Sequence, residues 1–137
     1  MLMQDSATTK NKIDLVYPEL SYKIVGILYD VFNELGSGHK ENYYQKAIAT
    51  ALLKSNIGFK EQVYFPITFK DTNVGKYFLD FLIDEKIVLE IKANDRFSKK
   101  NISQIYSYLK VSNLKLGLLA NFSGSDVKFK RILNICS

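Results

Sequence analysis

A chain of 137 residues with 47% hydrophobic and 24% charged residues suits one compact domain with a core of its own. Its formal net charge is +5, its lone cysteine, Cys136, excludes an internal disulfide, and its lone histidine, His39, excludes a zinc-ligand cluster. No apolar run approaches the roughly 18 residues of a membrane span, and MLMQDSATTKNKID lacks the apolar stretch of a signal peptide, so a cytoplasmic protein with no membrane partner is expected.

Residues 1–14 are polar and aperiodic and are expected to form a flexible arm, with 15–137 as a single domain. From Pro18, a first-turn proline, a helix runs to Gly36, with Ile24, Ile27, Leu28, Val31 and Leu35 on one face and Val25 and Phe32 widening it. A second helix from Glu41 to Lys54 is expected to bury Tyr44, Ala47, Ile48, Ala51 and Leu52. His39 reads as a loop residue, and Gly36 and Gly38 as servants of the turn. Phe59 to Phe69 reads as a strand, placed at an edge by Pro66, which cannot donate to a ladder. DTNVGK reads as the turn that follows.

The stretch Tyr77 to Asn94 organises the rest. Tyr77, Leu79, Phe81 and Ile83 alternate on one side of a strand, and Ile87, Leu89 and Ile91 on one side of the next. Closing the Asp84–Lys86 loop with Ile83 opposite Ile87 sets apolar against apolar and puts Asp80 opposite Glu90, with Lys92 on the diagonal. Like charges facing across such a pair repel, so a cation between the carboxylates is favoured. With no zinc-type ligands present, that cation would be held by oxygen.

Ser98 is a good N-cap for a helix to about Val111, burying Ile102, Ile105, Tyr106 and Leu109. Leu114 to Asn121 is a nearly continuous apolar strand, expected to be buried on both faces and parallel to the Glu90 strand. Ser123 to Asp126 turns the chain into VKFKRIL, read as a short final strand with Lys128 and Lys130 on one side. Charge is uneven: residues 1–90 carry net −2 and residues 91–137 net +7, a distribution that fits a polyanionic partner.

The spacing of Asp80, Glu90 and Lys92 resembles the D-x(9)-E-x-K signature of the PD-(D/E)xK nuclease superfamily, and the element order fits that resemblance: α/β, a three-layer α/β/α restriction-endonuclease-like fold with a mixed sheet and ααβββαβ core order. Gly38, Glu41 and Tyr44 spell G-x-x-E-x-x-Y, which is similar to the name-giving motif of the GxxExxY family within that superfamily; SQIYSYLKVSNLKLGLLANF is similar to that family's ending. The resemblance implies metal-dependent hydrolysis of nucleic acid, DNA favoured over RNA. Asp80, Glu90 and the Ile91 carbonyl would hold Mg²⁺ or Mn²⁺, Lys92 would orient water or stabilise charge, and Glu41 would be an extra acid. Gln104 and Tyr108 resemble the Q-x-x-x-Y motif of RecB-type nucleases and, with Tyr44, would support the site. Arg96, Lys99 and Lys100 would hold phosphates.

Bland readings compete at several positions: Glu41 as a carboxylate at a helix start, Tyr44 as core, Gln104 as a polar flank, and the lysines as a solvated face. Two rival functions use the same fold, a non-cutting nucleic-acid-binding module and a protein-interaction domain whose hairpin charges are structural. The complete Asp80, Glu90, Lys92 set argues against the first. A homo-oligomer is compatible with every reading.

Overall fold

The structure, a computed structural model, describes residues 16–93 and 98–135. The expected arm over 1–14, the phosphate-binding candidate Arg96, and Cys136 lie outside the described residues.

Helix α1 (Pro18–Leu35) begins on a proline, whose fixed φ and missing N–H cost nothing in a first turn. It ends at Gly36, where φ is 73° and the amide donates to the Phe32 carbonyl at 2.7 Å. Ile24, Leu28 and Val31 are buried. Leu35, expected on the same stripe, is 38% exposed, because the stripe runs past the core in the last turn. Helix α2 (Glu41–Lys54) buries the i, i+4 row Tyr44, Ile48 and Leu52, while Ala47 and Ala51 flank it half-buried.

The strands β1 (Phe59–Phe69), β2 (Thr72–Ile83), β3 (Ile87–Lys92), β4 (Leu116–Ser123) and β5 (Asp126–Leu133) form one sheet in that order. β3 and β4 are parallel, and the other neighbours antiparallel. β1 is at the edge that Pro66 requires. The final strand is eight residues long and pairs along all of β4, so the order is ααβββαββ.

DTNVGK is not the turn. The chain reverses in two residues, Lys70 and Asp71, both at positive φ, and Phe69 pairs Thr72 at once. Thr72 to Lys76 are strand because pairing with β1 outweighs their turn-like composition. β2 therefore outruns β3, and much of β1 and β2 forms a two-stranded ribbon beyond it.

Helix α3 (Lys99–Ser112) crosses from β3 to β4, with the Ser98 hydroxyl accepting from the Lys100 amide at 3.2 Å. Its buried arc is centred on Ile105 and Leu109. Tyr106, expected inside, is 41% exposed: it lies about 100° round the helix from Ile105, and Tyr108 takes the flanking half-buried place instead.

The helices lie on opposite faces. α1 and α2 pack on Phe81, Ile83, Leu89, Ile91 and alternate residues of β4, whereas Ile105 and Leu109 of α3 pack on Leu79, Leu82, Val88 and Leu119. This is the expected three-layer α/β/α arrangement. No helix among the described residues is long and apolar enough to cross a membrane.

α3 packs closely on β4 at Gly117, where an added Cβ would sit 2.5 Å from Cγ2 of Ile105. Gly117→Ala is expected to destabilise the chain by about 1–3 kcal/mol in urea unfolding. Ile105→Leu removes that methyl branch, so the double variant should be more stable than the sum of the two single effects requires.

Candidate active site

The register of the β2–β3 hairpin is the one alternation demands: Ile83 pairs Ile87, Leu82 pairs Val88 and Phe81 pairs Leu89. The next rung would join Asp80 to Glu90, and there the backbone pairing stops. In its place the side chains cross over. The Asp80 amide donates to Oε2 of Glu90 at 2.9 Å, and the Ile91 amide donates to Oδ2 of Asp80 at 2.7 Å. Each carboxylate accepts from a backbone amide of the opposite strand just where the β2–β3 ladder ends.

The same position breaks the expected alternation. Tyr77 and Leu79 belong with Leu82 and Val88 on the α3 face, while Phe81 and Ile83 face α1 and α2. The pleat is interrupted at Asp80, and Gln62, opposite it on β1, takes φ 51°. Leu79 through Ile83 are all buried because helices cover both faces of the sheet here.

Burial dominates the electrostatics. Asp80 is 9% and Glu90 2% exposed. Loss of solvent pushes the Asp80 carboxyl above the usual carboxylate range, against the pull of the Ile91 amide, the Lys92 charge and a hydrogen bond from Gln62; Glu41 adds to the push. Burial first, then the Asp80 charge, pushes Glu90 up to about 8. Lys92 lowers both by its positive charge, and no ion pair joins it to either carboxylate among the described residues. The Tyr77 hydroxyl donates to Oε1 of Glu90 at 3.2 Å and interacts with Asn101; burial and the Glu90 charge raise its pKa.

Other expected site residues divide. Oε2 of Glu41, at the start of α2, accepts from the Ala93 amide at 3.3 Å, tying that helix to the end of β3 beside Asp80. Tyr44 is fully buried and stacked on Phe122, with ring centroids 4.4 Å apart; its hydroxyl donates to the Gly36 carbonyl at 2.6 Å and accepts from the His39 amide at 3.3 Å. Its polar end is thus committed to the α1–α2 loop, in which Gly38 adopts φ 93°. G-x-x-E-x-x-Y therefore encodes a closed loop that delivers Glu41. Gln104, with Lys100, lines a groove that also includes Tyr77, whereas Tyr108 stacks edge-on against Phe65 at 5.2 Å and feels the charges of Glu85 and Lys60. Lys99 and Lys100 are exposed in the first turn of α3.

Among the described residues, no three His, Cys, Asp or Glu side chains group closely enough to hold a metal alone. Two adjacent buried carboxylates do match a hard divalent cation, which commonly takes one or two carboxylates and keeps several waters. The N–H and C=O of a strand residue point to the same neighbour, so the Ile91 carbonyl faces the side on which β2 has left the ladder. The donor set fits Mg²⁺ or Mn²⁺.

The model of the PD-(D/E)XK nuclease superfamily matches residues 18–132. The chain belongs to that superfamily. In fold the chain is similar to the crystal structure of SSO0001, with a TM-score of 0.51 and 18% identity over 70% of this chain. The match covers 50% of that structure, so the chain spans about half its length. No curated protein matches the chain.

Several residues beside Asp80, Glu90 and Lys92 do not follow from the sequence pattern. Tyr77 was hidden by the false alternation. Asn101 carried a signal, since it lies four residues before Ile105 on the inward stripe of α3. Asn121, buried at the end of β4 in register with Lys92, carried one too, as a polar residue closing an apolar run.

Because Glu90 holds its proton up to about 8 when folded, against an ordinary value of 4.5, the folded chain binds more protons than the unfolded chain between those limits. Unfolding free energy without metal should therefore fall as pH rises through that window. Urea denaturation near pH 5 and pH 8 is expected to show the decline, Glu90→Gln should flatten it, and Mg²⁺ should restore stability at the upper end. An equally steep decline in Glu90→Gln would assign it to another group.

Proposed function

We propose that this protein is a metal-dependent nuclease that hydrolyses phosphodiester bonds of nucleic acid, with DNA favoured over RNA. The observation that carries this reading is the paired, buried Asp80 and Glu90 carboxylates, with Lys92 on the strand between β2 and β4, in a chain of the PD-(D/E)XK superfamily. We further infer membership of the GxxExxY family, supported by the loop that Gly38, Tyr44 and Glu41 build, with residues 15–137 as one nuclease domain acting in the cytoplasm.

Asp80, Glu90 and the Ile91 carbonyl would hold Mg²⁺ or Mn²⁺, which when bound supplies Lewis-acid polarisation of the phosphate and a lowered pKa for a bound water. The chain's own groups do the rest. The Ile91 and Asp80 amides fix the two carboxylates, and Tyr77 holds Oε1 of Glu90. Lys92 orients the attacking water and balances the negative charge that grows on the phosphate. Glu41 anchors the end of β3 at Ala93 and adds negative charge beside Asp80. Lys99 and Lys100 take phosphates at the N-terminus of α3, where the helix dipole helps them, and Arg96, outside the described residues, is assigned the same role from its place in the sequence. Gln104 borders the path of the strand.

Titrating Mg²⁺ or Mn²⁺ against single- and double-stranded DNA and RNA is expected to reveal cleavage that a chelator abolishes. Asp80→Ala and Lys92→Ala should each lower the rate by roughly a hundredfold or more while the chain stays folded. Wild-type cleavage rates in both variants would sink the assignment.

A further inference from the structure

Between β1 and α3 runs a groove of about 550 Å³, with Phe65, Ile67 and Tyr77 along the strands and Lys100, Gln104 and Ser107 along the helix. We propose that this groove receives an unpaired base of the substrate, and that the protein's substrate is therefore single-stranded nucleic acid. The inference rests on Asp80 and Glu90 being the cleavage site.

Tyr77 joins the two features. The residue lines the groove while its hydroxyl is bonded to Glu90, so one side chain separates the groove from that carboxylate. The lining then selects the ligand. A paired duplex turns sugars and phosphates outward, and these gain nothing from Phe65 and Ile67. An unpaired base has an apolar π face and a polar edge, matching aromatic and aliphatic strand residues below an amide and hydroxyls on the helix. Lys100, in the same groove, supplies the positive charge that the phosphate of that nucleotide needs. The groove is also prepared in advance: the Phe65 ring is held at 90° to Tyr108, 5.2 Å away. Stacking does not distinguish the sugar, so DNA and RNA strands share this chemistry.

Fluorescence anisotropy in EDTA separates binding from cleavage. The probes are a short single strand, its blunt duplex, and the same strand with abasic residues, each as DNA, with the single strand and duplex also as RNA. The intact single strand, DNA or RNA, should bind about tenfold tighter than its duplex, and the abasic strand should lose that advantage. Ser107→Trp, on an exposed helix position, should fill the groove and abolish the preference with duplex affinity and unfolding midpoint unchanged; Ser103→Trp, on the same rim, serves if that chain does not fold. Equal or tighter binding of duplex, full affinity for the abasic strand, or an intact preference in the folded tryptophan variant would overturn the inference. Selective single-strand binding without metal-dependent cleavage would support the groove and remove the nuclease reading. Asp80-dependent cleavage with equal affinity for both forms would do the reverse.

Discussion

The reciprocal exchange between Asp80 and Glu90 governs the architecture of this molecule. Two carboxylates act as acceptors across the β2–β3 junction, each held by an amide of the opposing strand. Burial drives both toward the neutral form against the pull of Lys92, and no arginine or lysine closes an ion pair on either among the described residues. A core that places two acids there forgoes the stability that a continued ladder and apolar side chains would contribute. What remains is a break in the β2–β3 ladder where carboxylate oxygens accept from the amides of the opposing strand, a local departure from the pattern that the fold alone favours.

The rest of the chain brings three further elements to that break. α2 arrives from one face, its first residue tied to Ala93 and its preceding loop clasped by Tyr44. α3 arrives from the other, with Asn101 touching Tyr77. β4 runs parallel to β3, so Asn121 ends in register with Lys92. Asn134 is a comparable buried polar anchor at the far end of α3, donating to the carbonyls of Leu109 and Leu114. These polar contacts set where rigid elements start and stop, while the apolar clusters on the two sheet faces provide the bulk of the burial.

The ribbon of β1 and β2 is the least enclosed part of the fold. Beyond β3 it has no third strand, and Tyr64, Ile67, Phe69, Val74 and Phe78 are exposed on it. Tyr64 packs on Phe78 at 5.7 Å and accepts from Asn73 at 3.1 Å, which gives the ribbon a small cluster of its own. Phe65 and Ile67 of the ribbon line the groove beside α3 together with Tyr77, whose hydroxyl reaches Glu90.

The sequence by itself determined the helix limits at Pro18 and Gly36, the edge position of β1 through Pro66, the Ile83–Ile87 register, the parallel crossover and the three ionisable residues at its centre. Each of these follows from local stereochemistry or from a hydrophobic period, and both act over a few neighbouring residues. Only the tertiary structure decided that the pleat breaks at Asp80, that Tyr77 therefore meets Glu90, that Tyr44 turns its hydroxyl to the α1–α2 loop, and that Gln104 and Tyr108 part company. Those outcomes depend on which of two buried faces a side chain joins and on what lies across from it, and a strand covered by helices on both sides leaves no polar alternation in the sequence to report the choice.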